Sequence, residues 1–432
     1  MTRLGWRALV DFGPICLVCL LFVSSVSAAG PNPRPRGAPR LQYISIWSSP
    51  GSDSDHPTVV YNPIHDEYLV VWEYWKPGAQ CDIYARRVGS DGSLRGYTVI
   101  APPSGQIGQI YEQPAVAYSP AQDAYLIVYT HRFSPTDFDL WARRVRWDLH
   151  QMSNEFTTTE WYRTDYQWFP AVAYNSQADE FLVVYENYWA GGLRDIAAQR
   201  IKASDLTAPS WRNIATGTGQ LRVQPDVAYN SHRNQYLIAY TFIPSLSPGA
   251  KGDVFVRTVS ATMGTVGTET AVCDNTETQG DIHLATGADE YMAIWTDDRL
   301  VDSNPFARRL SGAGTPSGAH CGAPVAPRFE AQGEPALAYV PRFGYLAMWR
   351  QGYGLNQGDI YGRYVPEQRD VSPGDRFGIH LNPLTQSAPA VACDGRDRCL
   401  AVEADQIVAG GTVALGGWLL TLRHAYLPTV RR

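Results

Sequence analysis

Three short stretches set a pattern that recurs along the chain: PTVVYN at residues 57–62, EYLVVW at 67–72 and DIYARRV at 82–88. The pattern returns as PAVAY at 114–118, AYLIVY at 124–129 and DLWARRV at 139–145. Later copies are shorter or more divergent, and in the fifth copy Asp281 stands in the slot of the proline. The copies start at Pro57, Pro114, Pro170, Pro225, Asp281, Pro335 and Pro389. Such regular spacing indicates seven copies of one structural unit.

Each copy has the composition of β-strands. Its apolar runs are short, rich in β-branched and aromatic residues, and bounded by Gly, Pro, Asn and Asp. The second run is continuously apolar after its first residue, as in YLVVW at 68–72, which indicates a strand covered on both faces. The first run is made of small residues, such as Ala115, Val116 and Ala117, as expected where several sheets converge. We therefore predict an all-β fold, a seven-bladed β-propeller of four-stranded antiparallel blades. A two-sheet sandwich explains neither the copy number nor the two covered faces.

The ends of the repeat region predict how the ring closes. The seventh copy has two recognisable strands, at 390–393 and 399–402, and a plausible third at 417–424. Residues 41–47 form a strand-like segment before the first copy, where the outer strand of a preceding blade would lie. We predict that this N-terminal strand completes the last blade and so protects an otherwise open sheet edge.

The predicted organisation has four parts. Residues 1–28 resemble a secretory signal peptide, with Arg3 and Arg7 before an apolar stretch and small residues at 26–28. Residues 29–40 form a Pro-rich linker, 41–424 the propeller and 425–432 a short tail. No later segment is long and apolar enough to span a membrane. The sequence predicts a secreted protein, extracellular or at the cell surface.

The cysteines favour the same alignment. Cys393 and Cys399 occupy the positions of Tyr61 and Tyr68, which face each other across a hairpin, so we predict a disulfide there. The alternative is a pair of buried free thiols. Cys273 with Cys321 is a possible second pair, which leaves Cys81 over.

Composition and motifs exclude several functions. The formal charge of −6 provides no basic surface for nucleic acid. We find no zinc-binding His pair, serine-nucleophile elbow or phosphate-binding glycine loop, so no catalytic residue, cofactor or metal is assigned. Acids and arginines that recur at a fixed place in the copies, such as Asp82 and Arg86, are interpreted as structural, the arginines bracing neighbouring blades. A monomer is expected.

Function is expected where the copies differ, in the segments after the second strand. Acids beside aromatic side chains are typical of carbohydrate sites, and Glu73 and Glu186 are candidates for an acid–base pair if about 5–9.5 Å apart. The alternative is an ordinary solvated rim. The candidate ligand-binding residues are Glu73, Tyr74, Trp75, His131, Glu186, Tyr188, Trp189, Asp297, Asp298, Arg350 and Glu403.

The repeats resemble those of large exported bacterial β-propeller proteins, with the form P-x-V-A-Y-N, E-Y-L-V-V-W and D-I-Y-A-R-R-V. This resemblance covers residues 41–424 and implies an architecture rather than an activity. The plan is also distantly similar to sialidase and other glycosidase propellers, although the Ser-x-Asp-x-Gly-x-Thr-Trp box of sialidases is absent.

Three functions follow as hypotheses. The first is a secreted binding or scaffold module that presents a loop face to a glycan or an extracellular protein. The second is a glycoside hydrolase or lyase that uses acidic residues near the propeller axis. The third is a structural cell-envelope repeat protein without a discrete site.

Overall fold

The computed structural model describes residues 38–422, except for 79, 103–108, 135, 159–165, 190–191, 301, 326–329, 355–356, 370, 372–375, 383 and 407–411. The predicted signal peptide, most of the predicted linker and the C-terminal tail lie outside these residues. The described strands all belong to one compact unit, Pro35–Arg432. Within the described residues the fold is all-β, and no helix is present that is long and apolar enough to cross a membrane.

The strands follow the repeat, and we call them first to fourth by their place within each copy. The first strands are β2 (Asp53–Asn62), β6 (Ile110–Ser119), β10 (Tyr166–Asn175), β14 (Leu221–Asn230), β18 (Gln279–Thr286), β22 (Gln332–Val340) and β26 (Gln386–Cys393). The second strands are β3 (Glu67–Lys76), β7 (Ala124–Ser134), β11 (Glu180–Trp189), β15 (Gln235–Ile243), β19 (Glu290–Asp297), β23 (Gly344–Gly354) and β27 (Arg398–Gln406).

The remaining strands complete each group. The third strands are β4 (Gln80–Gly89), β8 (Asp137–Arg146), β12 (Leu193–Lys202), β16 (Asp253–Ser260), β20 (Asn304–Ser311), β24 (Gln357–Val365) and β28 (Val413–Thr421). The fourth are β5 (Leu94–Ala101), β9 (Phe156–Thr157), β13 (Ser210–Ala215), β17 (Thr270–Cys273), β21 (Ala323–Pro324), β25 (Phe377–His380) and, at the N-terminus, β1 (Arg40–Trp47).

Pairing within each group is antiparallel, in the order first, second, third and fourth strand. Three sheets have four strands, and two sheets have eight because a single parallel bridge joins two four-stranded halves, at Cys81–Ile110 and at Arg194–Leu221. None of these sheets closes on itself. The sheet of β26, β27 and β28 contains β1, in which Arg40 lies opposite Thr421 and Ile44 opposite Gly417.

The second strands are buried on both faces, as their continuous apolar sequence indicates. The first eight residues of β3, β7 and β11 are all buried. The hydrophobic core is divided into clusters, each of which lies between two neighbouring groups of strands; one cluster, for example, joins Leu69 and Val71 of β3 to Tyr125 and Ile127 of β7. Core packing therefore holds each group to the next rather than filling one common centre.

Polar links add to this packing between groups. Arg86 of β4 donates a hydrogen bond to the carbonyl of Ile46 in β1 (2.8 Å), and Arg308 of β20 donates one to the carbonyl of Val272 in β17 (2.7 Å). Arg86 and Arg308, two of the recurring arginines, therefore brace neighbouring groups, whereas Arg143 pairs with Glu155 of its own copy.

Two disulfides are present in the described chain. The predicted bond between Cys393 and Cys399 joins β26 to β27, across the hairpin where other copies stack two aromatic rings. The second bond joins Cys273, at the end of β17, to Cys321 in the next copy. Cys81 is a buried free thiol.

Candidate functional site

Each first strand contains a β-bulge at the same place in the repeat. In β2 the pairing with β3 shifts between Asp55 and Thr58, and the other first strands shift at the equivalent residues. The bulge residue has a left-handed backbone with φ between 45° and 55°; the seven are His56, Gln113, Phe169, Gln224, Asp281, Glu334 and Ala388. This conformation costs an L-residue roughly 1–2 kcal/mol, which glycine avoids. Every copy nevertheless retains a side chain there.

The bulge corrects the alignment of the fifth copy. Asp281 is its bulge residue, and Ile282 occupies the slot that is proline in the other copies. Placing Asp281 in the proline slot was therefore wrong by one residue. The error arose because this copy lacks the proline that marks the register elsewhere.

The bulges surround a cavity of about 750 Å³. Its wall consists of the bulge residues, the two or three residues that follow each of them, many of which are Pro, Ala and Val, and also Asp55, Ser387 and Arg350. Because Asp55 lies opposite Glu73 in β3, the cavity lies at the end of the first strands near the hairpins between second and third strands. Its volume is that of a small-molecule site. We call it the bulge cavity.

His56 contributes an imidazole to the wall. Its Nδ1 lies 3.3 Å from Oε2 of Glu73 and 3.7 Å from Oδ2 of Asp55. The Glu73 side chain is only 3% exposed, so its charge is poorly screened. The hydrogen bond to Glu73 raises the pKa of His56 to about 9 against the effect of burial. At neutral pH His56 is therefore an imidazolium in a fixed orientation.

The fourth and fifth copies place a carboxylate–imidazole–carboxylate cluster on the opposite part of the wall. Nδ1 of His283 lies 3.8 Å from Asp226, and its Nε2 lies 3.4 Å from Asp281. Burial disfavours the charged imidazole, but Asp281 and Asp226 outweigh burial and raise the pKa of His283 to about 9. Asp226 also accepts backbone hydrogen bonds from Val227 and Leu284, both at 2.7 Å. Other copies have alanine or threonine at the positions of Asp226 and His283.

The sixth copy adds an ion pair. Nη1 of Arg350 donates to Oε1 of Glu334 at 2.8 Å, and Oε2 of Glu334 accepts the backbone N–H of Ala388, the next bulge residue, at 2.6 Å. Arg350 is one of the residues predicted from sequence, and it lines the cavity. The positive charge of Arg350 is therefore paired with the carboxylate of Glu334.

Glu73 and Glu186 support the bulges rather than facing the ligand space. Each is buried, and each accepts the backbone N–H of the bulge residue in the next copy, Gln113 and Gln224 respectively, at 2.7 Å. Burial raises the pKa of Glu186 to about 7, although Arg194 lies 3.6 Å from it. A buried carboxylate with an amide hydrogen bond is a positioning group, so these two acids stabilise the wall of the cavity.

Four other predicted residues are buried away from the cavity. The ring of Tyr74 packs against Tyr84 at 4.6 Å, and His131 stacks on Tyr111 at 4.3 Å. Asp297 pairs with Arg299 at 2.6 Å beside the second disulfide. Glu403 lies 2.5 Å from Nδ1 of His380, at the position that is Trp72 in the first copy. Their burial removes them from an exposed rim.

The remaining predicted residues lie near the hairpins and have local partners. Trp75 donates to Glu73 and Trp189 to Asp195, both at 2.8 Å. The guanidinium of Arg194 lies 4.3 Å from the ring of Tyr188. Asp298 accepts a hydrogen bond from Ser303 at 2.5 Å. The structure thus separates the sequence-predicted set into Arg350 on the cavity wall, two carboxylates behind it and side chains that do not line it.

The bulge residues are not among the residues predicted from sequence. A signal was present: the position just before the repeat proline is His, Gln, Phe, Gln, Glu or Ala in the six copies that have this proline. Only the left-handed backbone explains why this position matters. A separate group of possible metal ligands, Asp274, His320 and Cys321, has its sulfur in a disulfide, which leaves an ion pair of 2.9 Å between His320 and Asp274.

No protein-family model and no curated protein sequence matches the chain. Its fold is similar to solved structures. A protein of unknown function from Dyadobacter fermentans is 10% identical, with a TM-score of 0.55 over 89% of this chain and 99% of that one. An alpha-L-arabinanase of Penicillium chrysogenum, complexed with arabinobiose, is 11% identical, with a TM-score of 0.50 over 89% and 99%. The β-propeller domain of the Trilobed protease from Pyrococcus furiosus is 8% identical, with a TM-score of 0.49 over 87% and 99%.

At such identities these likenesses concern the fold alone. Together with the successive four-stranded sheets, the likenesses with TM-scores of 0.50 and 0.55 support a β-propeller fold.

Proposed function

We propose that the seven sequence copies form one closed ring of seven blades, with β1 as the outer strand of the last blade. Three observations support this. Strand β1 pairs with β28; the first strands contact one another in cyclic order, with β2 against both β6 and β26; and one core cluster joins Trp72 of β3 to Leu400 of β27. The proposed domains remain 1–28, 29–40, 41–424 and 425–432.

The proposed location is outside the cytoplasm. The two disulfides are compatible with an oxidising compartment, in which such bonds persist. The leader-like first residues, with their charged start and apolar stretch, support the same proposal.

Within this ring, the proposed function is binding of a carbohydrate in the bulge cavity. One observation carries the proposal: around a single cavity, the copies repeat the same strained backbone but place chemically different side chains on it. Strain retained at a common site is a pointer to function. A structural role alone would be satisfied by glycine at every bulge.

The chemistry of the wall suits a sugar. The carboxylates of Asp226, Asp281 and Glu334 accept hydrogen bonds from hydroxyl groups, and protonated His56 donates one. Phe169 adds an aromatic ring to an otherwise aliphatic wall of Pro, Ala and Val. Because the charged groups are already held by one another and by backbone amides, they lose little conformational freedom when a ligand binds.

A glycan array probed with the full chain tests the proposal, followed by calorimetric titration of any ligand found. Phe169→Ala should weaken binding about tenfold, equivalent to 1.4 kcal/mol. Ala388 shows that alanine is accepted at a bulge. Phe133→Ala, at an exposed phenylalanine outside the cavity, is the matched control and should change nothing.

Two outcomes contradict the cavity as the binding site. If Trp75→Ala abolishes binding and Phe169→Ala binds as tightly as the wild type, the binding site lies at the hairpin rim and not in the bulge cavity. An absence of binding to every glycan class on the array leaves the structural repeat protein, the third hypothesis, as the better account.

A glycoside hydrolase is a second candidate, favoured by a specific pair of acids. Asp55 and Glu334 both line the cavity. Burial raises the pKa of Asp55; His56 opposes this rise, and the charges of Glu73 and Glu334 add to it. A carboxyl group with a raised pKa beside a second carboxylate is the pattern of an acid–base pair. Release of reducing sugar from a bound glycan, abolished in both Asp55→Asn and Glu334→Gln, would establish it; binding without turnover leaves the binding module.

A further inference from the structure

The bulge cavity contains more carboxylates than cations, and every cation is already paired. His56 lies beside Glu73 and Asp55, His283 lies between Asp226 and Asp281, and Arg350 is bonded to Glu334. The nearest further charges form neutral pairs of their own, Arg132 with Glu112 and Arg194 with Glu186.

The balance is negative even when both imidazoles are protonated. Four carboxylates on the wall, together with Glu73 buried behind it, then oppose three cations, which leaves a net charge of −2. Charges in a cavity with low-dielectric walls act over longer distances than they do in water. A ligand therefore interacts with the net charge of the cavity as well as with its nearest groups. An anionic sugar would meet no unpaired cation and would be repelled.

Two of the partly exposed carboxylates lie on consecutive bulges. Asp281 and Glu334 are the bulge residues of the fifth and sixth copies, and their side chains are 39% and 33% exposed. On the wall formed by the third copy, Phe169 presents an aromatic ring, which attracts a cation by its quadrupole. Both features favour a ligand that carries a positive charge as well as hydroxyl groups.

We propose that the carbohydrate bound in the bulge cavity is an amino sugar, whose ammonium group is held by Asp281 and Glu334. This inference depends on the proposed carbohydrate-binding function and specifies its ligand class. Neutral sugars bind the same groups through their hydroxyls but lack the attraction between an ammonium group and the carboxylates. Acidic sugars are repelled by the negative charge of the cavity.

Calorimetric titration with three tetrasaccharides of matched length tests the proposal: glucosamine, N-acetylglucosamine and galacturonic acid. The glucosamine tetramer should bind about tenfold more tightly than the acetylated one, and the acidic tetramer should not bind. Raising the salt concentration from about 0.1 M to about 1 M should remove most of this preference, because the Debye length falls from about 10 Å to about 3 Å.

Variants test which residues cause the preference for the glucosamine tetramer. Asp281→Asn combined with Glu334→Gln should bring the glucosamine and acetylated tetramers within about twofold of each other, while binding of the acetylated tetramer persists. Asp289→Asn, at an exposed ion pair with Arg233 near the opposite hairpins, is the matched control for loss of a negative charge. It should leave the preference unchanged.

The outcomes distinguish this inference from the proposed function. If the acetylated or the acidic tetramer binds as tightly as the glucosamine tetramer, or more tightly, and Phe169→Ala abolishes this binding, the proposed preference for an amino sugar is wrong. The proposed carbohydrate site in the bulge cavity is then retained. Binding of none of the three, together with an empty glycan array, overturns both.

Discussion

The two ends of the first strands differ in how similar their side chains are from copy to copy. At the hairpin end the first four copies agree: a tyrosine hydroxyl donates to a side-chain oxygen five residues later, Tyr61 to Asp66 and Tyr118 to Asp123 at 2.6 Å, and Tyr174 to Asp179 and Tyr229 to Asn234 at 2.9 Å. At the bulge end the backbone agrees equally well, but the side chains differ from copy to copy.

We therefore expect the hairpin end to carry stability and the bulge end to carry specificity. The hairpin end links one copy to the next: His65 reaches Asp123 at 2.9 Å, and Ser119 donates to Asp179 at 2.8 Å. Any change there disturbs a contact that holds neighbouring blades together. The side chains at the bulge end surround a space, so they are free to differ once the backbone is formed. Substitutions at the two ends should therefore affect different measurements.

The largest effect is expected at the bulge end. Asp281→Ala with His283→Ala gives the fifth copy the two alanines that the seventh has at Ala388 and Ala390. If the hydrogen bond from the sugar to Asp281 and the orientation of Asp226 by His283 contribute about 1.5 kcal/mol each, sugar affinity should fall about a hundredfold. Titration calorimetry measures this loss, and the denaturation midpoint should stay near that of the wild type. A large fall in that midpoint would mean that this end also carries stability.

The next effect is expected at the hairpin end of the seventh copy. Removing the disulfide with Cys393→Ala and Cys399→Ala should lower the free energy of unfolding by about 2 kcal/mol, the loop-closure value for so short a loop. Thermal denaturation measures the change, and ligand affinity should be unaltered. Weaker ligand binding with an unchanged free energy of unfolding would mean that the hairpin end contributes to specificity and not to stability.

A smaller loss is expected for a single hydroxyl. Tyr118→Phe removes the hydrogen bond to Asp123 and should cost about 1 kcal/mol of stability, without any change in binding. Tyr97→Phe, at a tyrosine that is 55% exposed, is the control and should cost less. Equal losses in both variants would remove the special role of the tyrosine–aspartate bond.

The smallest effect is the pH dependence contributed by the cavity. The pKa values of His56 and His283 are raised from 6.5 to about 9 in the folded protein, so their stabilisation is fully present below pH 6.5 and is lost as the pH rises through 9. Their side chains are 58% and 43% exposed, so solvent screening should limit the loss to less than about 1 kcal/mol. Chemical denaturation across this range should show the decline in the wild type and a weaker one in His56→Gln with His283→Gln. An identical decline in both would assign it to other groups.

Prediction from sequence succeeded where residues repeat. The apolar second strands and the small residues of the first strands recur at fixed spacing, and the hairpin cysteines of the seventh copy occupy positions that this spacing defines. It failed where a side chain's direction depends on a neighbouring copy. Glu73 and Glu186 lie in segments where the copies differ, but each turns inward to hold the next bulge. Glu403, in the slot of a buried aromatic, is itself buried against His380.

By itself, the sequence determined the strand type, the length of the repeat, the two covered faces of the second strands and the hairpin disulfide, because these depend on local propensity and on spacing along the chain. Only the tertiary structure decided that His56, Asp226, His283, Asp281 and Glu334 surround one cavity. These residues come from different copies and meet because first strands pack side by side. Four bulge residues, Gln113, Phe169, Gln224 and Ala388, donate their backbone N–H to a side chain of the preceding copy, a partner that no single repeat contains.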